Sequence, residues 1–432
     1  MVQSSRDRLE LALSRIADPS GEGARACLTV YADAARASAD AADARAKSGK
    51  RLGPLDGAIV SIKDLFDVAG EVTRAGSRVL AGEGAVAAAD APAVQRLRAA
   101  GAVIVAKTNM SEFAFSGVGA NPHFGTPGNP FDRARVPGGS TSGGGVAVAD
   151  GMCEIAIGTD TGGSTRIPAA LCGIVGWKPS HQRVPTDGAF PLSFSLDSIG
   201  PMARSVADCA ATDAVMAGEQ AFQLDPAPLS GLRFGVLQGM PFEGIDQTVS
   251  AAWSDALARF GKAVVRLGDG RIPLIDDMVQ VNAKGGLAPA ESFSIHRERL
   301  ARNGDGVDPN IRMRIERGGT IAAADYIWMV QARRRLVRAM DERLASLDAL
   351  ILPTTPIVAP TIAEVASPDV FGRKNALLLR NTNLVNFFDL CAISLPLPRT
   401  GGLSCGLMLV GRNGQDRRLF SIAAAVESLV AG

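Results

Sequence analysis

Short apolar runs alternate along the chain with longer segments in which charged residues recur at helical spacing. The apolar runs predict strands at 58–62, 103–105, 154–157, 232–237, 263–265, 349–353 and 405–410. The charged segments predict two helices within 5–47 and others at 91–100, 144–150, 165–171, 322–347 and 415–430. Strands and helices that alternate in this way are typical of an α/β fold with a mixed sheet.

The chain is long enough for two or three domains, but its pattern is continuous. A length of 432 residues would suggest that number at about 150 residues per domain. No internal repeat is visible, and no long polar linker divides the chain. We therefore expect a single domain over residues 1–432.

Charge and composition argue against several classes of function. The chain contains 45 Lys+Arg and 44 Asp+Glu, so a concentrated positive surface for nucleic acid is not expected. The basic run at 333–335 is interpreted as a solvated helix face. No apolar run reaches the ~18 residues of a membrane span, and residues 1–18 lack the apolar core of a secretory signal. A soluble, cytoplasmic protein without membrane contact is expected.

Several common catalytic motifs are missing. The three histidines, His123, His181 and His296, form no H-E-x-x-H motif, and the six cysteines form no C-x-x-C pair, so a metal site is not expected. The cysteines are interpreted as reduced, buried thiols. G-x-S-x-G is absent, as are the glycine-rich loops that bind nucleotides. We therefore expect no cofactor.

A glycine-rich turn joins a predicted strand to a predicted helix at 159–164. Two glycines let the backbone turn sharply before Ser164. The N–H groups of Thr161, Gly162, Gly163 and Ser164 then point to one place and could stabilise an oxyanion. Taken alone, the same residues could form an ordinary turn.

Two further segments carry candidate chemistry. The Gly/Ser run at 137–145 is either a flexible linker or a backbone that packs closely around a reaction centre. Lys63 ends an apolar strand, where it either reaches solvent or is desolvated. Desolvation lowers the pKa of a lysine and would make a neutral general base available.

Read together, these segments resemble the amidase signature family. Ser140 and Ser164 are 24 positions apart, as in that family. The resemblance is strong over about 50–210 and loose elsewhere, with a variable, pocket-building region at about 203–375. The matching motifs lie at 57–64, 107–113, 126–130, 138–143, 158–169, 172–179, 196–202 and 406–411.

The resemblance implies a fold, a mechanism and a set of catalytic residues. The fold would be a large, twisted, mixed sheet covered by helices on both faces. Ser164 would be the nucleophile, Ser140 the middle residue after a cis peptide bond, and Lys63 the terminal base. The N–H groups of 161–164 would form the oxyanion hole.

Other residues near the two serines receive supporting roles from the same resemblance. Asp160 and Arg166 would form a salt bridge that fixes the loop, and Thr159 would hydrogen-bond Ser140 or Lys63. Thr141 stands where many relatives carry serine. Phe115 would line the acyl pocket, although it could equally be a core aromatic residue. The backbone at Gly139 would contact substrate.

The expected reaction is hydrolysis of a small, soluble carboxamide to a carboxylate and ammonia or an amine. Two alternatives stay open from the sequence. The chain could be the glutamine-hydrolysing component of a tRNA-dependent amidotransferase, its A chain, which needs a partner subunit. It could also be a non-catalytic scaffold on the same fold. Relatives are often homodimers, so a homodimer is the expected assembly.

Overall fold

The computed structural model describes residues 3–220, 222–398 and 402–431, and within them eleven strands form one sheet. The strands are β1 (Cys27–Val30), β2 (Ile59–Lys63), β3 (Val103–Thr108), β4 (Ile155–Thr159), β5 (Val175–Lys178), β6 (Ile199–Ala203), β7 (Arg233–Leu237), β8 (Arg266–Gly270), β9 (Ala349–Pro353), β10 (Cys391–Pro396) and β11 (Gly406–Gly411).

The order of the strands across the sheet is β1-β3-β2-β4-β6-β5-β10-β11-β9-β7-β8. Strand β2 pairs in parallel with β3 and β4, and β7 pairs in parallel with β8 and β9. The remaining neighbours are antiparallel. The sheet is therefore mixed, with a parallel block near each end, which confirms the predicted fold class.

Fifteen α-helices occur in the described residues. They are α1 (Ser5–Ala17), α2 (Gly23–Ala26), α3 (Ala32–Lys47), α4 (Arg78–Glu83), α5 (Pro92–Ala99), α6 (Ser142–Ala149), α7 (Arg166–Cys172), α8 (Val206–Ala217), α9 (Gln247–Lys262), α10 (Leu274–Asn282), α11 (Leu287–Asn303), α12 (Pro309–Glu316), α13 (Ala323–Leu344), α14 (Pro368–Phe387) and α15 (Asp416–Ala431). None of the described helices is long and apolar enough to cross a membrane.

Both faces of the sheet are packed, because apolar side chains leave the strands in both directions. One face joins a large cluster that includes Val60, Ile62, Ile104, Ile155, Ile157, Ile351, Leu407 and Leu409. Helices α5, α8, α9 and α15 contribute to it. The opposite face carries one cluster with α1, α3 and α6, and a second with α10, α13 and α14.

The observed elements differ from the predicted ones at several places. Residues 263–265 are not a strand, because Val264 has a φ of 59° in a turn after α9. The strand β8 instead begins at Arg266, and its first four residues are exposed, so no apolar run marks it. Segment 5–47 contains the edge strand β1 between its helices. Strands β5, β6 and β10 were not predicted.

The parallel pair β2 and β4 places two loops at the same edge of the sheet. Ile62 lies opposite Ile157 in the register, so both strands end within two residues of this pair. Carboxyl ends of parallel strands meet at one edge, where side chains of the following loops converge. Lys63 ends β2 and Thr159 ends β4, and both belong to this edge.

Candidate active site

Lys63 is fully buried and is held by hydroxyl groups instead of carboxylates. Its Nζ lies 2.8 Å from Ser140 Oγ and 2.9 Å from Thr159 Oγ1. Among the described residues it has no ion pair. Burial lowers the pKa of Lys63 to about 7, although the carboxylates of Asp160 and Asp197 favour the charged form.

Ser140 lies in the loop before α6 and follows a cis peptide bond from Gly139. The side chain is fully buried. The backbone carbonyl of Ser140 accepts a hydrogen bond from Ser111 N at 3.0 Å. The next residue, Thr141, donates its N–H to the Ser164 carbonyl at 3.3 Å. These backbone bonds tie the Ser140 loop to the Ser164 turn.

Ser164 lies between β4 and α7, after the Gly162–Gly163 turn. Gly163 has a φ of 137°, and a Cβ atom there would lie 2.1 Å from Thr382 Oγ1, so a larger residue does not fit. Ser164 is 3% exposed and lines a cavity. Within the described part of the chain, the Oγ atom of Ser164 makes no hydrogen bond, so it is available to a ligand.

Three of the four N–H groups expected to face an oxyanion have no hydrogen-bond acceptor in the described residues. These belong to Thr161, Gly162 and Ser164. The fourth is a correction, because Gly163 N donates to Asp160 Oδ1 at 2.8 Å. The Gly163 N–H therefore holds the turn in shape, and the other three donors of the turn stay available at the cavity.

The expected pair of Asp160 and Arg166 is present and fully buried, with Arg166 Nη2 2.8 Å from Asp160 Oδ1. A second bond joins Arg166 Nε to Asp160 Oδ2 at 3.0 Å. The carboxylate also accepts from Gly163 N and Thr165 N, which are the backbone of the turn itself. Despite burial, the guanidinium of Arg166 keeps the pKa of Asp160 well below its usual range.

Helix α14 completes this cluster with residues that the sequence reasoning missed. Asn386 Nδ2 donates to Asp160 Oδ1 at 2.9 Å and to the Asp160 carbonyl at 3.0 Å. Thr382 Oγ1 donates to the Gly162 carbonyl at 2.6 Å. Both residues lie more than 200 positions after Ser164, outside the strongly matching motifs, and only the fold brings them to the turn.

A cavity of about 260 Å³ opens next to Ser164. Its wall includes Thr161, Gly162 and Ser164 from the turn, Phe115, and residues of the region between 192 and 387. Phe115, for which two interpretations were open, thus borders the cavity. Gly139, expected to contact substrate, is not among the residues that line it.

The match to a known protein family identifies the family to which this fold and site belong. A match to the amidase family covers residues 8–420. The chain belongs to the amidase family. It is therefore an amide-hydrolysing enzyme, and the fold described above is the amidase fold.

Individual relatives of this amidase have different named activities. The 2-amino-5-chloromuconic acid deaminase of Comamonas testosteroni is 34% identical over 401 residues, covering 92% of this chain and 86% of that protein. The A component of the glutamyl-tRNA(Gln) amidotransferase of Symbiobacterium thermophilum is 35% identical over 456 residues, covering 97% and 92%. A solved peptide amidase in complex with chymostatin has a TM-score of 0.84 at 30% identity, covering 99% and 94%.

The polar side chains of Thr141 and His123 form no hydrogen bond with Lys63, Ser140 or Ser164 in the described residues. Thr141 Oγ1 is buried and has no hydrogen-bond partner in the described residues, and its side chain packs against Gly158. His123 Nε2 lies 3.1 Å from Glu112 Oε2, a contact that raises the pKa of the histidine. Among the described residues, no group of three or more His, Cys, Asp or Glu could hold a metal ion.

Proposed function

We propose that this amidase hydrolyses a carboxamide through an acyl-enzyme on Ser164, with Ser140 and Lys63 as its proton relay. The observation that carries the proposal is Lys63, a buried lysine 2.8 Å from the Ser140 hydroxyl and without a carboxylate partner among the described residues. A lysine in such surroundings is a base near neutral pH, because its ammonium form is poorly solvated.

During acylation the relay first removes the proton of Ser164 and later delivers a proton to the leaving nitrogen. Neutral Lys63 accepts a proton from Ser140 Oγ, which in turn accepts the proton of Ser164 Oγ as that oxygen attacks the amide carbonyl. The C–N bond then breaks, and the leaving nitrogen takes a proton from Ser140, which regains one from Lys63. Ammonia or an amine departs, and Ser164 keeps the acyl group as an ester.

Water completes the cycle. A water molecule attacks the ester carbonyl while the same relay removes its proton, and the bond to Ser164 Oγ breaks with return of that proton. The N–H groups of Thr161, Gly162 and Ser164 support the negative oxygen in both halves. Donors held in place before the reaction stabilise developing charge without reorganising, which is commonly the largest contribution to such catalysis.

A fluorophosphonate serine probe tests the proposed nucleophile directly. We expect covalent labelling at Ser164, mapped by peptide mass spectrometry, and loss of labelling in Ser164→Ala. Ser116 lines the same cavity and provides the matched control, so Ser116→Ala should still be labelled. Labelling at another serine, or unchanged labelling of Ser164→Ala, would refute the proposal. If the protein were a non-catalytic scaffold, the probe would not label the wild type.

A second candidate, the glutamine-hydrolysing component of an amidotransferase, is favoured by the 35% identity to such a protein. It predicts that L-glutamine is the preferred amide and that a second protein co-purifies. Glutaminase assays of the chain alone and with co-purified proteins separate the two candidates. The single domain, the homodimer and the cytoplasmic location stay predictions, and sedimentation of the pure chain tests the homodimer.

A further inference from the structure

Arg314 is the charged residue on the wall of the active-site cavity, and it has no hydrogen-bond or ion-pair partner in the described part of the chain. Its guanidinium carbon lies 4.5 Å from the centroid of the Phe115 ring, and both residues line the cavity together with Ser164. The Nε atom is shielded from solvent and makes no hydrogen bond, and Arg314 forms no ion pair with any described residue.

The contrast with Arg312 shows that α12 does not lack acidic neighbours. Arg312, two positions earlier, lies 2.5 Å from Asp305 and 2.7 Å from Glu316 and faces solvent. The Arg314 guanidinium instead lies next to the Phe115 ring at the cavity wall, and the residue as a whole is partly buried. A buried N–H donor without an acceptor, such as the Arg314 Nε–H group, costs free energy unless a ligand supplies the acceptor. A ligand bound in the cavity could therefore supply the acceptor that Arg314 lacks.

The rest of the cavity wall is apolar or neutral. None of the described residues that line it is Asp or Glu. The polar groups are hydroxyls, amides and the backbone of the Ser164 turn. The larger apolar side chains are those of Phe115, Leu192, Leu196, Leu287, Leu379 and Phe387. A ligand in this cavity meets one positive charge, a hydrocarbon surface and the nucleophile.

We propose that the substrate is a small amide that carries a carboxylate, joined to the amide by a hydrocarbon spacer without an ammonium group, and that Arg314 binds the carboxylate. This inference rests on the proposed function of Ser164. The planar guanidinium matches a carboxylate through two parallel N–H···O bonds. Hydrolysis adds water across the C–N bond, so ammonia leaves and the product is a dicarboxylate.

The same wall argues against an α-amino acid amide such as glutamine. The ammonium group of glutamine would lie in a cavity without an acidic residue among its described lining and near the charge of Arg314. Burying an unpaired cation next to a second cation is unfavourable. The cavity thus selects for the carboxylate and against the ammonium group.

A second cavity continues from the first and carries the same sign of charge. It has a volume of about 370 Å³ and shares Phe115 and Arg314 with the active-site cavity. Its lining adds Lys284 and Arg317, with Asp325 as the acidic residue, which lies 3.2 Å from Lys284. A positively charged surface next to the active-site cavity raises the local concentration of anionic substrates. Arg314 lines both this cavity and the one that contains Ser164.

Matched amides test the proposal by the rate of ammonia release. The acids are malonamate, succinamate, glutaramate and adipamate, and each is paired with the neutral amide of equal carbon number. L-Glutamine differs from glutaramate only by its α-amino group. For the acid of best length, we expect kcat/KM to exceed that of its neutral pair by about 10- to 100-fold, as one charged hydrogen-bonded contact allows. Glutamine should be poorer than glutaramate.

Variants of α12 assign this preference to Arg314. Arg314→Met should lower kcat/KM far more for the acids than for the neutral amides and so remove the preference, while Arg314→Lys should keep part of it. Arg312→Met, on the same helix but paired at the surface, should keep all of it. Equal kcat/KM for acids and neutral amides in the wild type, or an equal loss of both in Arg314→Met, would overturn the inference.

A binding measurement separates this inference from the proposed function. Calorimetry with glutaramate on Ser164→Ala requires no turnover. The double variant with Arg314→Met should bind at least about 10-fold more weakly, and equal binding by both proteins would overturn the role of Arg314. By contrast, full hydrolytic activity in Ser164→Ala would overturn the proposed nucleophile and leave the binding result standing.

Discussion

Lys63 and Lys178 are both buried, but they differ in what surrounds their amino groups. Lys178 Nζ donates to the carbonyls of Pro179 and Leu390 at 2.6 and 2.9 Å, and carbonyls only accept hydrogen bonds. Lys63 Nζ lies between the hydroxyls of Ser140 and Thr159. A hydroxyl can donate as well as accept, so of these two lysines Lys63 alone has a neighbour that can pass it a proton.

The first prediction concerns the pH dependence of turnover. Below its pKa of about 7, Lys63 is protonated and cannot accept a proton from Ser140. The value of kcat/KM should therefore rise with pH through about 7 and level off above it. Steady-state assays from pH 5 to 9 measure this. A decline between pH 7 and 9 in a protein that is still folded would contradict a lysine base.

The second prediction concerns removal of the base. Lys63→Ala should lower kcat by roughly 10²- to 10⁴-fold, the usual contribution of a positioned general base. Thr159→Ser keeps the second hydroxyl next to Lys63 and should retain most activity. A Lys63→Ala enzyme with near wild-type kcat would show that Ser140 and Ser164 react without this residue.

At the scale of elements, the turn before α7 is held by a buried ion cluster that joins β4 to α14. Asp160 and Arg166 are both fully buried, and Asn386 bonds to both side chains. Two buried charges are tolerable only when each is paired and its hydrogen bonds are satisfied. The shape of the Ser164 turn therefore depends on a helix that is distant along the chain.

The third prediction is the cost of breaking this cluster. Asp160→Ala leaves the Arg166 guanidinium buried and unpaired, which should lower the free energy of unfolding by ~3–5 kcal/mol. Urea denaturation measures the change. The control is Asp40→Ala at an exposed ion pair with Arg6, where unfolding should hardly differ from wild type. A stable Asp160→Ala protein would contradict the structural role of the cluster.

The apolar pattern predicted the elements best where strands are buried on both faces. Strands β2, β3 and β9 are fully buried and were visible as apolar runs. Strand β8 is an exposed edge, and the apolar residues before it fill a turn, so the pattern pointed to the wrong residues. Strand β6 contains glycine and proline, which are uncommon within strands, so its sequence did not indicate a strand although its residues are buried.

At the scale of the whole molecule, one mixed sheet brings together residues from distant parts of the chain. Lys63, Ser140 and Ser164 belong to motifs with fixed spacing, so the sequence could name them. Arg314 and Asn386 belong to helices without such a motif, and no local pattern distinguishes an unpaired arginine from a solvated one. Their roles depend on their neighbours in the folded structure, which cannot be read from a single sequence.

The fourth prediction concerns the six cysteines, all of which are buried and unpaired in the structure. Burial raises the pKa of each thiol, so the reactive thiolate is scarce and shielded. A colorimetric thiol reagent should titrate almost none in the native protein and all six after denaturation. Rapid native labelling would contradict the packing of the described core.

The central claim is that amide hydrolysis by this protein proceeds through Ser164, and ammonia release tests it most directly. Wild type and Ser164→Ala should be compared on one panel of amides that spans glutamine, malonamate, glutaramate, biuret, propionamide, benzamide and a long-chain primary amide. We predict release by the wild type and none above background by Ser164→Ala, with both proteins equally folded. Release by Ser164→Ala at the wild-type rate would contradict the claim.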